Sequence, residues 1–316
     1  MSYMHIQNLY QNQDILLFKE CYALEKIHGT SAHITYKNTY PPIPQTEETC
    51  DSVQLRKVES ERIDKIDFFA GGCKHENFLA IFDKDKLFEG FRQIGQNDIT
   101  VYGEAYGGKI QGMKDTYGPD LKFVAFEVQI GDYWLNVPSA ENIVKVLGLE
   151  YVAYKRVPCT LEALDAERDR ESIQAERNGM GPGKLREGVV LRPIIEVTTN
   201  NGCRIIAKHK SDAFKETHTS RRPDVDPQTL TDADSIALEW ATPMRLSHVM
   251  DTVRVVKGRE IGISDTGEVI DAMVEDIIRE AGAEIIDSRP ARKAIGSMAA
   301  RLYKQFLGGK TNENIR

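Results

Sequence analysis

The residue pattern predicts an α+β protein, with a large antiparallel domain followed by a small all-helical one. Two observations carry this. From about Cys21 to Phe214, short stretches alternate in polarity or cluster β-branched and aromatic residues, as strands do. Beyond Thr217 the apolar residues recur at three- and four-residue spacing instead, the period of an amphipathic helix. A chain of 316 residues is long enough to build both parts.

Taken in order, Ala32 to Tyr36 alternates, and Phe78 to Phe82 is a short apolar run followed by charge. Ile99 to Glu104 and Phe123 to Val128 are rich in β-branched and aromatic residues, and Gly188 to Arg192 and Arg204 to Lys208 read as two further strands. Ser139 to Leu147 and Thr160 to Asn178 read as helices, and the glycines of 179–183 end the second in a loop. Residues 220–228, with Pro223 and Pro227, suggest a linker. In the tail, Val269, Met273, Val274 and Ile277 mark one helix, and Ile295, Met298, Leu302 and Phe306 another. The second begins near Pro290 and is expected to end at Gly308-Gly309. The domain limits expected are 1–222 and 223–316.

Composition narrows the class. Hydrophobic residues at 41% and charged residues at 28% give an ordinary globular balance. No apolar run approaches the roughly 18–20 residues of a membrane span, and Met1 to Asp14 is too polar for a signal peptide. Cys21, Cys50, Cys73, Cys159 and Cys203 are scattered without zinc-ligand spacing, which points to reduced thiols and a cytoplasmic setting. A net charge of −7 argues against nucleic-acid binding if read alone. Its distribution argues the other way, since six basic residues face two acidic ones from Arg204 to Arg222, and seven face one from Ser288 to Arg316.

Five short motifs could carry chemistry. In Glu25-Lys26-Ile27-His28-Gly29-Thr30, a lysine precedes a histidine and a glycine between two strand-like stretches. A lysine amine is a nucleophile only when neutral, and nearby cations or a metal favour that form. Gly29 would let a phosphate approach the backbone. Taken alone, the hexapeptide reads more simply as an exposed lysine beside a turn. In Lys208-His209-Lys210, alternation puts both lysines on one strand face, where a phosphate would relieve their repulsion. A solvated edge strand guarded by lysines explains them equally well. Glu187, ahead of Gly188-Val189-Val190, offers an oxygen ligand of the kind magnesium takes, or is a polar residue at a strand start. Phe126-Glu127 offers a ring that can stack a purine, and Gly103-Glu104 a carboxylate for a ribose or a metal. Core packing explains each of these two separately.

Their order changes the reading. Lys-x-His-Gly, Gly-Glu, Phe-Glu, Glu-Gly-Val-Val and Lys-x-Lys follow one another as the signature motifs of the covalent nucleotidyltransferases do. The chain resembles the ATP-dependent RNA ligases, in particular the double-strand RNA ligase family first known from T-even phages, over about Leu24 to Glu216. That family carries Lys-x-His-Gly where DNA ligases and capping enzymes carry Lys-x-Asp-Gly. The resemblance implies a nucleotidyltransferase (ATP-grasp-like ligase adenylation) domain ahead of the helical one. It also implies that Lys26 becomes adenylylated by ATP, with Glu25, Ile27, His28 and Gly29 lining the nucleotide site. Glu104 would contact the ribose, Phe126 would stack on adenine with Glu127 beside it, and Glu187 would bind Mg2+, or alternatively Mn2+. Lys208 and Lys210 would act on the α-phosphate. Arg56 would match an arginine between the first and third motifs, in competition with Lys57 and Arg62. Ser31 stands where the family often has asparagine.

The substrate so implied is RNA, joined between a 3′-hydroxyl and a 5′-phosphate by a monomeric enzyme away from membranes. The alternatives are a DNA ligase, a GTP-using capping enzyme, a silent nucleotide- or RNA-binding module, and an unrelated structural protein. The helical tail and His28 speak against the first two. The intact Lys26, Glu187, Lys208 and Lys210 speak against the third, and the five ordered motifs against the last.

Overall fold

The computed structural model describes residues 3–39, 63–224 and 229–313. The chain builds two antiparallel sheets and changes from one to the other twice. Strand β1 (Glu20–Lys26) lies in a four-stranded sheet with β7 (Tyr154–Pro158), β8 (Gly188–Pro193) and β9 (Ala207–Lys210), in the order β7-β1-β8-β9. Strand β2 (Thr30–Thr39) lies in a five-stranded sheet with β3 (Ile63–Ala70), β4 (Asp98–Tyr106), β5 (Lys122–Ile130) and β6 (Tyr133–Trp134), in the order β3-β2-β4-β5-β6. Only Ile27, His28 and Gly29 separate β1 from β2, so this tripeptide sits where the sheets meet.

Gly29 is required there by close packing. A Cβ on it would stand 2.4 Å from the Ala105 carbonyl oxygen of β4. The room the sequence reading kept for a phosphate is thus taken by the neighbouring strand. Gly103, beside a register shift between β4 and β5, is in similar straits, since its Cβ would meet the Val124 carbonyl oxygen at 2.4 Å.

Helices α1 (His75–Leu79), α2 (Lys84–Ile94) and α4 (Val137–Val146) contribute to one apolar core with the five-stranded sheet. The expectation of a strand-like run at Phe78 to Phe82 is corrected here. Phe78 lies in α1 and Phe82 in the turn that follows it; their ring centroids are 5.0 Å apart, and both also meet Phe68 and Phe123. Helix α2 is started by Asp83, whose carboxylate accepts from Lys86 N, and stopped by left-handed Gly95. A short α3 spans Lys114–Tyr117. The long helix expected over Thr160 to Asn178 is two helices, α5 (Leu161–Arg168) and α6 (Ile173–Arg177), each with its own hydroxyl cap, Thr160 and Ser172. The strand expected from Arg204 to Lys208 starts only at Ala207; Arg204 forms an isolated bridge with Thr198 while its guanidinium is drawn to buried Glu127.

After Thr217 the structure is helical, as the spacing predicts. Helices α7 (Ala233–Trp240), α8 (Pro243–Lys257), α9 (Thr266–Ala281) and α10 (Arg289–Glu313) enclose a core of their own around Trp240, Met273, Ile277, Ile295 and Tyr303. Helix α10 continues through Gly308 and Gly309, where the sequence suggested an end. Residues 225–228 of the suggested linker lie outside the described residues. No described helix is long and apolar enough to cross a membrane.

The glycine at the β4–β5 irregularity offers a direct test. Gly103→Ala is expected to lower stability by about 1–3 kcal/mol, the usual range for overpacking, in a urea or thermal melt.

Candidate active site

Strand register builds the site. Lys26 pairs with Gly188 across β1–β8, and Gly188 pairs with Lys210 across β8–β9. The end of β1, the start of β8 and the end of β9 therefore stand in one row. Glu187, just before β8, is the centre of that row. One carboxylate oxygen lies 2.9 Å from Lys26 Nζ and 3.2 Å from His28 Nδ1, and the other lies 3.2 Å from Lys210 Nζ. Burial by itself would raise the pKa of Glu187, but Lys26, Lys210 and His28 outweigh it and hold the carboxyl well below its usual range.

A second carboxylate extends the cluster. Glu216 lies 2.5 Å from Lys210 Nζ, 2.9 Å from His248 Nδ1 and 3.3 Å from Arg245 Nη2. Its pKa too is held well below the usual range, as Lys210, His248 and Arg245 overcome its burial. His248 Nε2 then lies 3.3 Å from His28 Nε2. Each ring already turns Nδ1 to a carboxylate, so a hydrogen bond between the Nε2 atoms requires one ring to carry both protons. Lys208 Nζ lies 3.3 Å from Glu280 of α9, and burial together with Lys210 lowers its pKa.

Beside these lysines is a cavity of about 260 Å³ whose lining includes Lys26, Lys208, Ser31, Glu104 and Phe126, with apolar surface from Leu24, Val152 and Val190. The Glu104 carboxyl is pushed up to about 8 by burial, which the Lys26 charge only partly offsets. It forms no ion pair among the described residues, and the Ser31 hydroxyl, opposite it in the β2–β4 register, is buried without a hydrogen-bond partner. Glu104 and Glu187 are hard oxygen donors of the kind magnesium takes. Among the described residues no group of three or more His, Cys, Asp or Glu could hold a metal unaided.

The remaining expected residues are distributed less simply. Ile27 is buried and lines the cavity. Glu25 lines it too, but its carboxylate accepts from Ser172 Oγ at 2.5 Å and Ile173 N at 3.1 Å, so it caps α6 where a nucleotide contact was expected. Glu127 is fully buried and engaged by Tyr3, Arg192 and Arg204. Tyr3 also sets its ring against Phe126 edge-on, with centroids 5.0 Å apart. Arg56, Lys57 and Arg62 lie outside the described residues. Glu216, Arg245, His248, Glu280 and Tyr3 were not singled out from the sequence. None belongs to a short motif, and all but Glu216, six residues after Lys210, reach the site from a distant part of the chain.

Lys26 and Lys208 line a cavity that also holds the Phe126 ring, with Lys210 joined to Lys26 through Glu187, an arrangement that suits a nucleotide or other phosphate-bearing molecule. Residues 19–210 match the family model described as RNA ligase, and the chain belongs to the RNA ligase family. No curated protein matches it. Among solved structures it is similar to the Naegleria gruberi RNA ligase, in a lysine-to-alanine mutant with ATP and manganese and in a form with pyrophosphate. Each aligns at 16% identity with a TM-score of 0.45, covering 68% of this chain and 57% of that one. A lysine-to-methionine mutant with AMP and manganese aligns equally well. The chain thus spans little more than half the length of those ligases.

Glu104 gives a pH test with a defined sign. Its folded pKa of about 8 lies above the ordinary 4.5, so the fold prefers the neutral acid. That contribution to stability is complete below 4.5 and lost as pH rises through about 8. In melts without nucleotide or metal, the wild-type advantage over Glu104→Gln is expected to shrink across this window.

Proposed function

We propose that the chain is an ATP-dependent RNA ligase of the double-strand RNA ligase type, joining 3′-hydroxyl and 5′-phosphate ends through lysyl-AMP on Lys26. The observation that carries the reading is that Glu187 holds Lys26 and Lys210, from motifs far apart in sequence, beside a cavity that Lys26 and Lys208 line.

The adenine would lie against Phe126 and the apolar wall of Val190, with the ribose near Glu104. Lys26 Nζ would attack the α-phosphorus of ATP. A P–N bond forms, the bond to pyrophosphate breaks, and the proton from Nζ passes to solvent. Lys208 and Lys210 would stabilise the charge that develops on the α-phosphate oxygens. Burial, and next the Lys210 charge, lower the Lys208 pKa, and an incoming phosphate would relieve the repulsion between the two lysines. AMP would then pass to a 5′-phosphate, and a 3′-hydroxyl would displace it to seal the strand. Magnesium, held by Glu187 with Glu104 beside it, would supply neutralisation of phosphate charge. On this reading residues 1–222 form the adenylyltransferase domain and 223–316 a helical domain that selects the ends, and the basic stretches at Arg204–Arg222 and Ser288–Arg316 contact the RNA backbone.

The test is labelling with α-labelled ATP and magnesium, after stripping any resident AMP with pyrophosphate and checking the intact mass. Label is expected to remain on the denatured protein, to be absent in Lys26→Ala, and not to come from GTP. GTP labelling would favour a capping-type enzyme. A stripped protein that takes up nothing would leave a silent nucleotide- or RNA-binding module as the better account.

A further inference from the structure

Helix α8 sends a side chain into the lysine cluster. His248 touches both ends of it: its Nε2 meets His28 Nε2 at 3.3 Å, and its Nδ1 meets the Glu216 carboxylate at 2.9 Å. The contacts close a ring running Glu187, His28, His248, Glu216, Lys210 and back to Glu187. Lys26 hangs from Glu187, so the nucleophile is attached to the ring at a single point.

We propose that His248 is a positioning residue for lysine adenylylation, so that the site is complete only with α8 docked. The inference rests on the ligase reading above. His28 is buried, and its ring lies between Phe214, with centroids 5.0 Å apart, and His248, at 4.9 Å. Remove the His248 ring and His28 Nε2 loses its partner inside the protein, where an unsatisfied polar atom is costly. The imidazole then gains by turning, and its hold on Glu187 goes with it. Glu216 loses one of its three partners, leaving only Arg245 to fix it against Lys210. One substitution on α8 therefore loosens the carboxylates beside Lys26 and Lys210 together.

An independent contact shows that α8 is seated at a specific place. One turn beyond His248, the Asp251 carboxylate accepts from Gln111 N at 3.0 Å. Gln111 has φ 51°, a left-handed conformation that a residue with a side chain rarely adopts, and among the described residues it is the one non-glycine with positive φ. The loop of residues 110–112 is held in this unusual shape where α8 meets it.

The experiment is single-turnover labelling of stripped protein with α-labelled ATP over a range of ATP concentrations. It compares wild type, His248→Ala, His248→Gln, His248→Leu and the control Val256→Ala, on the exposed side of α8. The expected result for His248→Ala and His248→Leu is a maximal labelling rate roughly 10- to 100-fold lower, the effect of losing a hydrogen bond to a charged group. The ATP concentration for half-maximal rate should stay within about twofold, because the loss lies in the reacting arrangement and not in binding. His248→Gln, whose amide can still reach a carboxylate, should recover most of the rate, and Val256→Ala should label as wild type does. If His248→Ala fails to fold, the contrast between Gln and Leu decides the matter. The inference is overturned by wild-type rates in both apolar variants, by a defect confined to ATP half-saturation, by no recovery with Gln, or by faster labelling, which would make α8 a restraint on the site. Absence of label in the wild type would instead remove the ligase reading on which this inference stands.

Discussion

The Glu187 carboxylate is buried, and three side chains from two distant stretches of the chain converge on it. Lys26 ends β1, His28 lies in the crossing to β2, and Lys210 ends β9. An isolated buried carboxylate is expensive, and removing the partners of a buried ion pair typically costs about 3–5 kcal/mol. The cluster is therefore mutually dependent: the charges are tolerable in the interior because each has the others. The same dependence suits a site that exchanges its counter-ions for a phosphate, since Lys26 and Lys210 share one carboxylate.

The backbone makes the convergence possible. The β1–β8–β9 register aligns the three strand ends, and Gly188 permits the last pairing because a Cβ there would stand 2.1 Å from the His209 carbonyl oxygen. Gly29 lets the crossing segment lie against β4, which brings Ser31 and Glu104 of the second sheet beside Lys26 of the first. Gly29, which the sequence suggests as room for a phosphate, serves strand-to-strand contact, as does Gly188 within its strand, and the cavity is the space left between the sheets.

Much of the frame was legible. Strands with clear alternation or β-branched content, such as β2, β4, β5 and β8, appear where the pattern places them, because a half-buried pleated surface demands that pattern locally. The errors have equally local causes. Phe78 to Phe82 is the end of a short helix and the turn after it, whose run of apolar residues looks like a strand in a short window. Thr160 to Asn178 holds enough helix-forming residues for one helix, but Glu25 and Ser172 together cap a new start at Ile173. Glu25 illustrates the limit well, since its neighbour Lys26 marks a motif while its own carboxylate answers to a helix 147 positions away.

By itself the sequence determined the succession of elements, the change from sheet to helix after Thr217, and five motifs whose order identifies the family. These are properties of neighbouring residues and of composition, which act over a few positions. Only the tertiary structure decided that Glu216 and Glu280 sit on Lys210 and Lys208, that Tyr3 covers Phe126 and Glu127, and that His248 meets His28. Those contacts join residues up to 220 positions apart. A lone histidine, tyrosine or glutamate carries no local mark of such a partner, because the partner is chosen by how the sheets and helices pack.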